Sequence, residues 1–315
     1  MGLLDRLTSA VFDRTKRVAH DDNDEVLFDD DFQRKLEYLA LVSRRVFSGR
    51  LRAQRRTRKT GSGIEFADHR EYQPGDDLRY LDWNVYQRFG RLLIRMFEEE
   101  EDLSVYVVVD ASASMAFGRG KKFRHARRLA AALAYVGLAN LDRVTVVTTA
   151  DDVIDHLPET RGKGRIFRVF RYLEAAKAGG STDLDSALRT FVARHKRRGL
   201  VILLTDLFDP EGFEAGLNVL RYNKFEAYVV HLLDATDRAP ELAGDVLVYD
   251  CETGDEREVT VTPDVLGKYA RAYDTFVQSA ERFCASRQVP YLPANVDVPV
   301  DELVLRILRR GGFVK

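Results

Sequence analysis

Five side chains with oxygen donors occupy positions from which they could bind one metal ion: Asp110, Ser112, Ser114, Thr182 and Asp206. The first three alternate along the chain directly after an apolar run, so a tight loop can aim their oxygens at one point. Carboxylate and hydroxyl oxygens with no Cys or His nearby favour Mg²⁺ or Mn²⁺ over zinc. Mg²⁺ takes about six oxygen ligands at roughly 2.0–2.1 Å, some of them water. The pattern therefore predicts a site for a hard divalent cation.

Two apolar strands are needed to place these groups together. Residues 105–109 and 201–205 are short β-branched and aliphatic runs, which are typical of strands buried on both faces of a parallel sheet. Each run ends next to an acid, Asp110 in the first case and Asp206 in the second. The loops at the carboxyl ends of neighbouring parallel strands meet at one edge of the sheet. We therefore expect the two acids to converge there.

This pattern resembles a von Willebrand factor A domain with its metal-ion-dependent adhesion site. The five candidate residues match the D-x-S-x-S, T and D positions of that motif one by one. The resemblance implies that the hydroxyls bind the metal directly or nearly so, and that the aspartates act largely through water. It also implies that one coordination position stays open for a Glu or Asp of a partner protein.

The third loop departs from the family pattern. Family members usually read G-G-T-D, whereas this chain has one more residue and reads Gly179-Gly180-Ser181-Thr182-Asp183. Thr182 is favoured as the ligand because it keeps the Thr-Asp pair, but Ser181 could replace it or support it. Each candidate also has an ordinary interpretation, since Ser, Thr and Asp at these places commonly cap the following helix.

A second resemblance lies upstream, in residues 61–92. This segment contains G-x-G-x-E-F, R-E-Y-x-P-G-D-D-x-R, L-D-W and Q-R-x-G-R-L. It is similar to the signature of the family catalogued as domain of unknown function fifty-eight. In that family the segment leads into a von Willebrand A-like domain, and many members accompany a MoxR-type AAA+ ATPase. The resemblance implies an adaptor or co-chaperone in metal insertion, complex assembly or stress functions.

Strands and helices alternate along most of the chain, which predicts the α/β class with βαβ units and a mainly parallel, doubly wound sheet. We expect residues 1–31 to form an N-terminal helix, over residues 3–18, and a solvated acidic linker. Residues 32–102 are expected to form a smaller α+β region with a basic segment and the R-E-Y-x-P-G-D-D motif. Residues 103–315 are expected to form the von Willebrand A-like domain with its C-terminal helices.

The composition of the 315-residue chain suits a globular protein with a large core, because 45% of its residues are hydrophobic. The 49 Lys and Arg residues balance 50 Asp and Glu residues, so no overall charge attracts nucleic acid or anionic membrane. Two cysteines, Cys251 and Cys284, show no metal-ligand spacing and favour a reducing compartment. The sequence predicts neither a secretory signal nor a membrane span, and hence a cytoplasmic protein.

Two other functions are open at this point. The basic segment Arg44 to Lys59 could bind nucleic acid, although a solvated loop is the simpler interpretation. Asp110 could be the nucleophile of a haloacid-dehalogenase-type phosphohydrolase, but that resemblance expects an acid where Ser112 stands. No Walker motif and no catalytic histidine motif occurs in the sequence. We therefore expect a binding protein and not an enzyme, with residues 117–122 forming a flexible basic loop beside the site.

Overall fold

The computed structural model describes residues 10–12, 26–47, 56–60, 65–100, 104–118, 120–252 and 254–309. The strands in chain order are β1 (Ala10–Phe12), β2 (Arg56–Thr60), β3 (Glu65–Glu71), β4 (Leu93–Glu100), β5 (Ser104–Asp110), β6 (Arg143–Thr149), β7 (Val153–Thr160), β8 (Leu200–Thr205), β9 (Glu226–Leu233), β10 (Gly244–Asp250), β11 (Glu256–Val261) and β12 (Tyr291–Asn295). The α-helices are α1 (Asp30–Phe47), α2 (Trp83–Phe89), α3 (Ala113–Ala116), α4 (Lys121–Ala139), α5 (Ile166–Ala175), α6 (Leu184–Arg194), α7 (Glu214–Tyr222), α8 (Ala235–Arg238), α9 (Pro263–Ser286) and α10 (Val300–Leu308). None of the helices described here combines the length and the apolar character that crossing a membrane requires.

The largest sheet within the described residues has six strands in the order β12-β9-β8-β5-β6-β7. All neighbouring pairs in it are parallel except β6 and β7, which are antiparallel. Helices follow most of its strands, as the connections between parallel strands require. The expected α/β class with a mainly parallel central sheet is confirmed.

Both faces of the central sheet are covered, because alternate residues of each strand point to opposite sides. Every residue of β5 is buried. Val107 belongs to an apolar core that includes residues of α1, α4, α5 and α10, whereas Val108 belongs to a second core with residues of α6, α7 and α9. Burying a side chain of this size stabilises the fold by about 1.5–3 kcal/mol. With both faces closed, the loops at the strand ends are what the sheet presents to a ligand.

Two smaller antiparallel sheets accompany the central sheet, in the orders β2-β4-β3 and β1-β10-β11. Strand β1 pairs with β10, so Ala10–Phe12 form a strand and not part of the predicted helix. The remainder of residues 3–18 lies outside the described residues. Strands β10 and β11 pair antiparallel and form a hairpin.

The segment before α1 is bound to the central sheet's helical layer. Leu27 and Phe28 are buried, and the ring of Phe28 stacks on Phe170 of α5 with ring centroids 4.4 Å apart. The Asp29 side chain caps α1, since its Oδ1 accepts a hydrogen bond from the Phe32 N–H at 2.6 Å. Residues 26–31 are therefore partly core, although a solvated linker is predicted for them; residues 21–25 lie outside the described residues.

Candidate metal-binding site

The candidate site lies at the carboxyl edge of the central sheet, where β5 and β8 end side by side. Val109 of β5 pairs with Leu204 of β8 in parallel register. Asp110 is the last residue of β5, and Asp206 directly follows β8. Both carboxylates are fully buried. The structure thus brings the two predicted acids together at one edge of the sheet.

The loop after β5 joins these acids through a chain of hydrogen bonds. The Ser112 N–H donates to Oδ1 of Asp110 at 2.9 Å. The hydroxyls of Ser112 and Ser114 are 3.0 Å apart and share a hydrogen bond. The Ser114 hydroxyl then donates to Oδ1 of Asp206 at 3.3 Å. Four of the five predicted residues therefore form one continuous polar cluster.

The glycine turn that carries Thr182 is bonded directly to this loop. The Gly179 N–H donates to the Ala111 carbonyl at 2.8 Å, and the Ala113 N–H donates to the Gly180 carbonyl at 3.0 Å. Gly180 has a φ of +84°, a left-handed conformation that glycine adopts without steric cost. The third loop is thus held against the first by two backbone hydrogen bonds.

Thr182 itself is buried but makes its side-chain contact elsewhere. Its hydroxyl donates to Oε1 of Glu252 at 2.6 Å, and its N–H donates to Oε2 of Glu252 at 2.9 Å. Among the described residues, the Thr182 hydroxyl bonds Glu252 and none of the other four candidates. Ser181 is exposed, so burial favours Thr182 as the ligand in this loop.

A buried lysine neutralises part of the negative charge. Nζ of Lys122 lies 2.7 Å from Oδ2 of Asp206 and 3.0 Å from Oδ2 of Asp237, and Lys122 is only 1% exposed. Its Nζ also lies 4.9 Å from the centroid of the Phe208 ring. Burial alone would lower the pKa of Lys122, but the two carboxylates outweigh burial and raise it. Lys122 is therefore a fixed positive charge behind the site.

Asp110 has a strongly shifted pKa. Burial, with the neighbouring Asp206 as a second cause, raises the pKa of Asp110 to about 7, although hydrogen bonds to Thr205 and Ser112 act in the opposite direction. The Thr205 hydroxyl donates to Oδ2 of Asp110 at 2.6 Å. Two neighbouring buried carboxylates ionise together only when positive charge is close. A divalent cation between them would supply that charge.

The donor set fits a small hard cation by its chemistry. It contains two carboxylates and three hydroxyls, with no sulfur and no imidazole. The Thr149 hydroxyl, at the end of β6 opposite Asp110, is a further buried oxygen without a hydrogen-bond partner among the described residues. The same part of the chain contains no group of three or more His, Cys, Asp or Glu side chains placed to hold a metal. Such a site would therefore depend on its hydroxyl oxygens.

Sequence reasoning missed several residues of the cluster: Lys122, Thr205, Asp237 and Glu252. A flexible basic loop is predicted for residues 117–122, but this prediction was wrong for its last two residues, because Lys121 and Lys122 lie in the first turn of α4. Lys122 can be buried because the carboxylates of Asp206 and Asp237 compensate for its lost hydration. The signal for this was in the sequence, since Lys122, Ala126 and Leu129 share one buried face of the helix. Glu252 had no local signal.

The fold and the donor set define an α/β protein with a candidate cation site at the carboxyl edge of a mainly parallel sheet. The family model described as "Protein of unknown function DUF58" matches residues 68–278, two thirds of the chain. This chain belongs to the DUF58 family.

Similar proteins are found in mycobacteria. Uncharacterized protein Rv1480 of Mycobacterium tuberculosis (strain H37Rv) is 27% identical over 242 residues, which cover 75% of this chain and 76% of that protein. Uncharacterized protein Mb1516 of Mycobacterium bovis matches with the same identity and coverage. Among solved structures, the conserved hypothetical protein BatB from Bacteroides thetaiotaomicron covers 67% of this chain and 99% of its own, at 15% identity and a TM-score of 0.40. Nothing about function follows from a likeness at this level.

Proposed function

We propose that this protein is a divalent-metal-dependent protein-binding adaptor whose central sheet belongs to a von Willebrand A-like domain. The observation that supports the proposal is the continuous chain of oxygen donors from Asp110 through Ser112 and Ser114 to Asp206, all buried at one edge of the sheet. Ordinary helix caps do not require such a chain. Three of its members lie at the end of β5 and in the segment that follows, and the fourth directly follows the neighbouring strand β8.

In this proposal, Ser112, Ser114 and Thr182 hold Mg²⁺ or Mn²⁺ through their hydroxyls, while Asp110 and Asp206 contribute negative charge, largely through water. A cation bound mainly by neutral hydroxyls keeps strong attraction for an external carboxylate. The Thr205 hydroxyl and the Ser112 N–H orient the Asp110 carboxylate. Lys122 fixes Asp206 and offsets its charge. The open position then takes an acidic side chain of a partner protein.

We further propose that the partner is a MoxR-type AAA+ ATPase, for which this chain acts as a co-chaperone in the cytoplasm, in assembly or stress functions. This step is an expectation drawn from the resemblance of residues 61–92, and membership of the DUF58 family agrees with that resemblance. The sequence has no Walker motif of its own, so ATP hydrolysis would be supplied by the partner.

The metal part of the proposal is tested by Mn²⁺ titration of the full chain, followed by the electron paramagnetic resonance signal of free Mn²⁺. We expect one bound ion in the wild type. Removing a ligand hydroxyl by Ser112→Ala should weaken binding by at least about tenfold. Ser279→Ala is the matched control, because Ser279 is an exposed serine of α9 and is not a candidate ligand. Equal binding by wild type and Ser112→Ala would refute the assignment of this site.

The partner part is tested by co-purification with the MoxR-type ATPase of the same organism, in Mg²⁺ and in EDTA. We expect capture in Mg²⁺ that is lost in EDTA and in Ser112→Ala. Capture that is the same in EDTA would contradict recognition through a metal. No capture in Mg²⁺ would contradict the ATPase as the partner.

A further inference from the structure

The turn between β10 and β11 brings an acid of this same chain to the candidate site. The Asp250 side chain accepts a hydrogen bond from the Glu252 N–H at 2.8 Å, and the Asp250 N–H donates to the Asp255 carbonyl at 2.8 Å. These bonds close the turn. Glu252 is half-buried, whereas Cys251, Gly254 and Asp255 of the same turn are exposed. Glu252 therefore attaches this turn to Thr182.

Glu252 binds Thr182 through both of its carboxylate oxygens. One oxygen accepts from the Thr182 hydroxyl at 2.6 Å and the other from the Thr182 N–H at 2.9 Å, across 70 residues of sequence. A carboxylate that accepts two hydrogen bonds from one residue has a defined position and orientation. Thr182 thus holds the Glu252 carboxylate in one position through two hydrogen bonds.

The hydrogen bond leaves Thr182 able to bind a cation. A threonine hydroxyl has one proton to donate and two lone pairs to offer. Its proton points to Glu252, so its lone pairs are free for a metal ion held with the neighbouring loop. An ion bound by the Thr182 hydroxyl would then lie next to the Glu252 carboxylate.

We propose that Glu252 is an internal acidic ligand, which occupies the open position at the metal and competes there with the acidic residue of a partner. This inference rests on the proposed function. It goes further in two ways. It assigns the residue that occupies the site when no partner is bound, and it requires the β10–β11 turn to move before a partner can bind. Most of the described turn residues are exposed, and segments with few buried contacts open at low free-energy cost, so the turn can yield to a partner.

The test compares wild type with Glu252→Gln, which keeps the size of the side chain and removes its charge. Glu258→Gln in β11 is the matched control, because Glu258 is an exposed acid of the same hairpin. Two probes are used with the full chain: Mn²⁺ alone, and a fluorescent hexaglutamate peptide in excess Mg²⁺. Circular dichroism melting confirms that each variant folds.

We expect Glu252→Gln to bind Mn²⁺ about tenfold more weakly than the wild type, because it lacks one acidic ligand. We expect it to bind the peptide about tenfold more tightly, because the internal competitor is gone and the binding-competent state is no longer a minor one. Glu258→Gln should match the wild type with both probes.

The outcomes separate this inference from the proposed function. If wild type binds Mn²⁺ and loses it in Ser112→Ala, but Glu252→Gln behaves like wild type with both probes, the internal ligand is refuted and the metal site stands. If Mn²⁺ binds and neither protein binds the peptide, competition with a partner's acid is refuted. If wild type binds no Mn²⁺, both proposals fail together.

Discussion

Two regions of this protein are rich in ion pairs, and they differ in solvent exposure. At the edge of the central sheet, Lys122 pairs with Asp206 and Asp237 in a buried cluster. In the region of the β2-β4-β3 sheet, the ion pairs are partly or largely solvated. Arg70 pairs with Asp76 at 2.8 Å there, and Arg79 pairs with Asp77 at 2.6 Å, with the Arg79 side chain 80% exposed.

The same chemistry has different energetic weight in the two regions. Water screens the exposed pairs, and most such pairs add little to stability. In the buried cluster each charge has lost its hydration, so its partner inside the protein must compensate. The comparison indicates that replacing one member of the buried cluster costs more stability than replacing a member of an exposed pair. The exposed pairs mainly fix local loop geometry, as the Asp76 side chain does by accepting the Gln73 N–H.

The largest expected effect is at Lys122. Lys122→Met leaves two buried carboxylates without their cation, and should lower the free energy of unfolding by about 3–5 kcal/mol. Urea denaturation in EDTA measures this. Lys121→Met is the control, because Lys121 is the adjacent lysine and its pair with Asp297 is about half exposed. Similar losses in both variants would remove the distinction between the two regions.

The next largest effect on the free energy of unfolding is expected at Thr205, a neutral hydrogen-bond donor in the buried cluster. Thr205→Val removes the hydroxyl that donates to Asp110 and that accepts the Leu207 N–H at 2.9 Å. We expect a loss of about 1.5–3 kcal/mol, because a buried carboxylate and a buried N–H lose their partner. Thr205→Ser keeps the hydroxyl and should retain most of the stability in the same urea titration. A stable Thr205→Val variant would show that water replaces this hydroxyl.

Burial should also be visible in the dependence of stability on pH. Burial, with the charge of Arg128 as a second cause, lowers the pKa of His125 to about 4, although Asp297 acts in the opposite direction. Below pH 6.5 the unfolded chain takes up the proton first, so stability is lost as pH falls from about 6.5 toward 4. Between pH 6.5 and 5, His125 should account for a loss of up to about 2 kcal/mol.

His125→Gln, which does not titrate, should reduce this slope in urea denaturation across that pH range. An unchanged slope in His125→Gln would mean that His125 has the same pKa in the folded and unfolded protein, which would contradict the lowered pKa.

The smallest effect is expected on the exposed side of the comparison. Arg79→Ala removes the pair with Asp77, but the Asp77 carboxylate still accepts the Arg79 N–H at 3.0 Å. We expect no measurable change in the midpoint of urea denaturation, because both groups stay hydrated. A clear shift in this midpoint would show that the stability of the β2-β4-β3 sheet region depends on this ion pair.

Much of the fold could be predicted from local sequence patterns. The run from Val105 to Val109 predicts a strand buried on both faces, and every residue of β5 is buried. The alternation of strands and helices predicts the α/β class. The prediction of a helix at Ala10–Phe12 was wrong, because those residues pair with β10, and such pairing with a distant strand overrides a weak local periodicity.

The sequence by itself determined that Asp110 and Asp206 end buried strands, because apolar runs and their acidic ends are local features of the chain. Only the tertiary structure decided which groups face them. Lys122 reaches Asp206 across 84 residues, and Glu252 reaches Thr182 across 70. These contacts depend on which strands are neighbours and on where a distant hairpin folds back, and no short-range pattern encodes that.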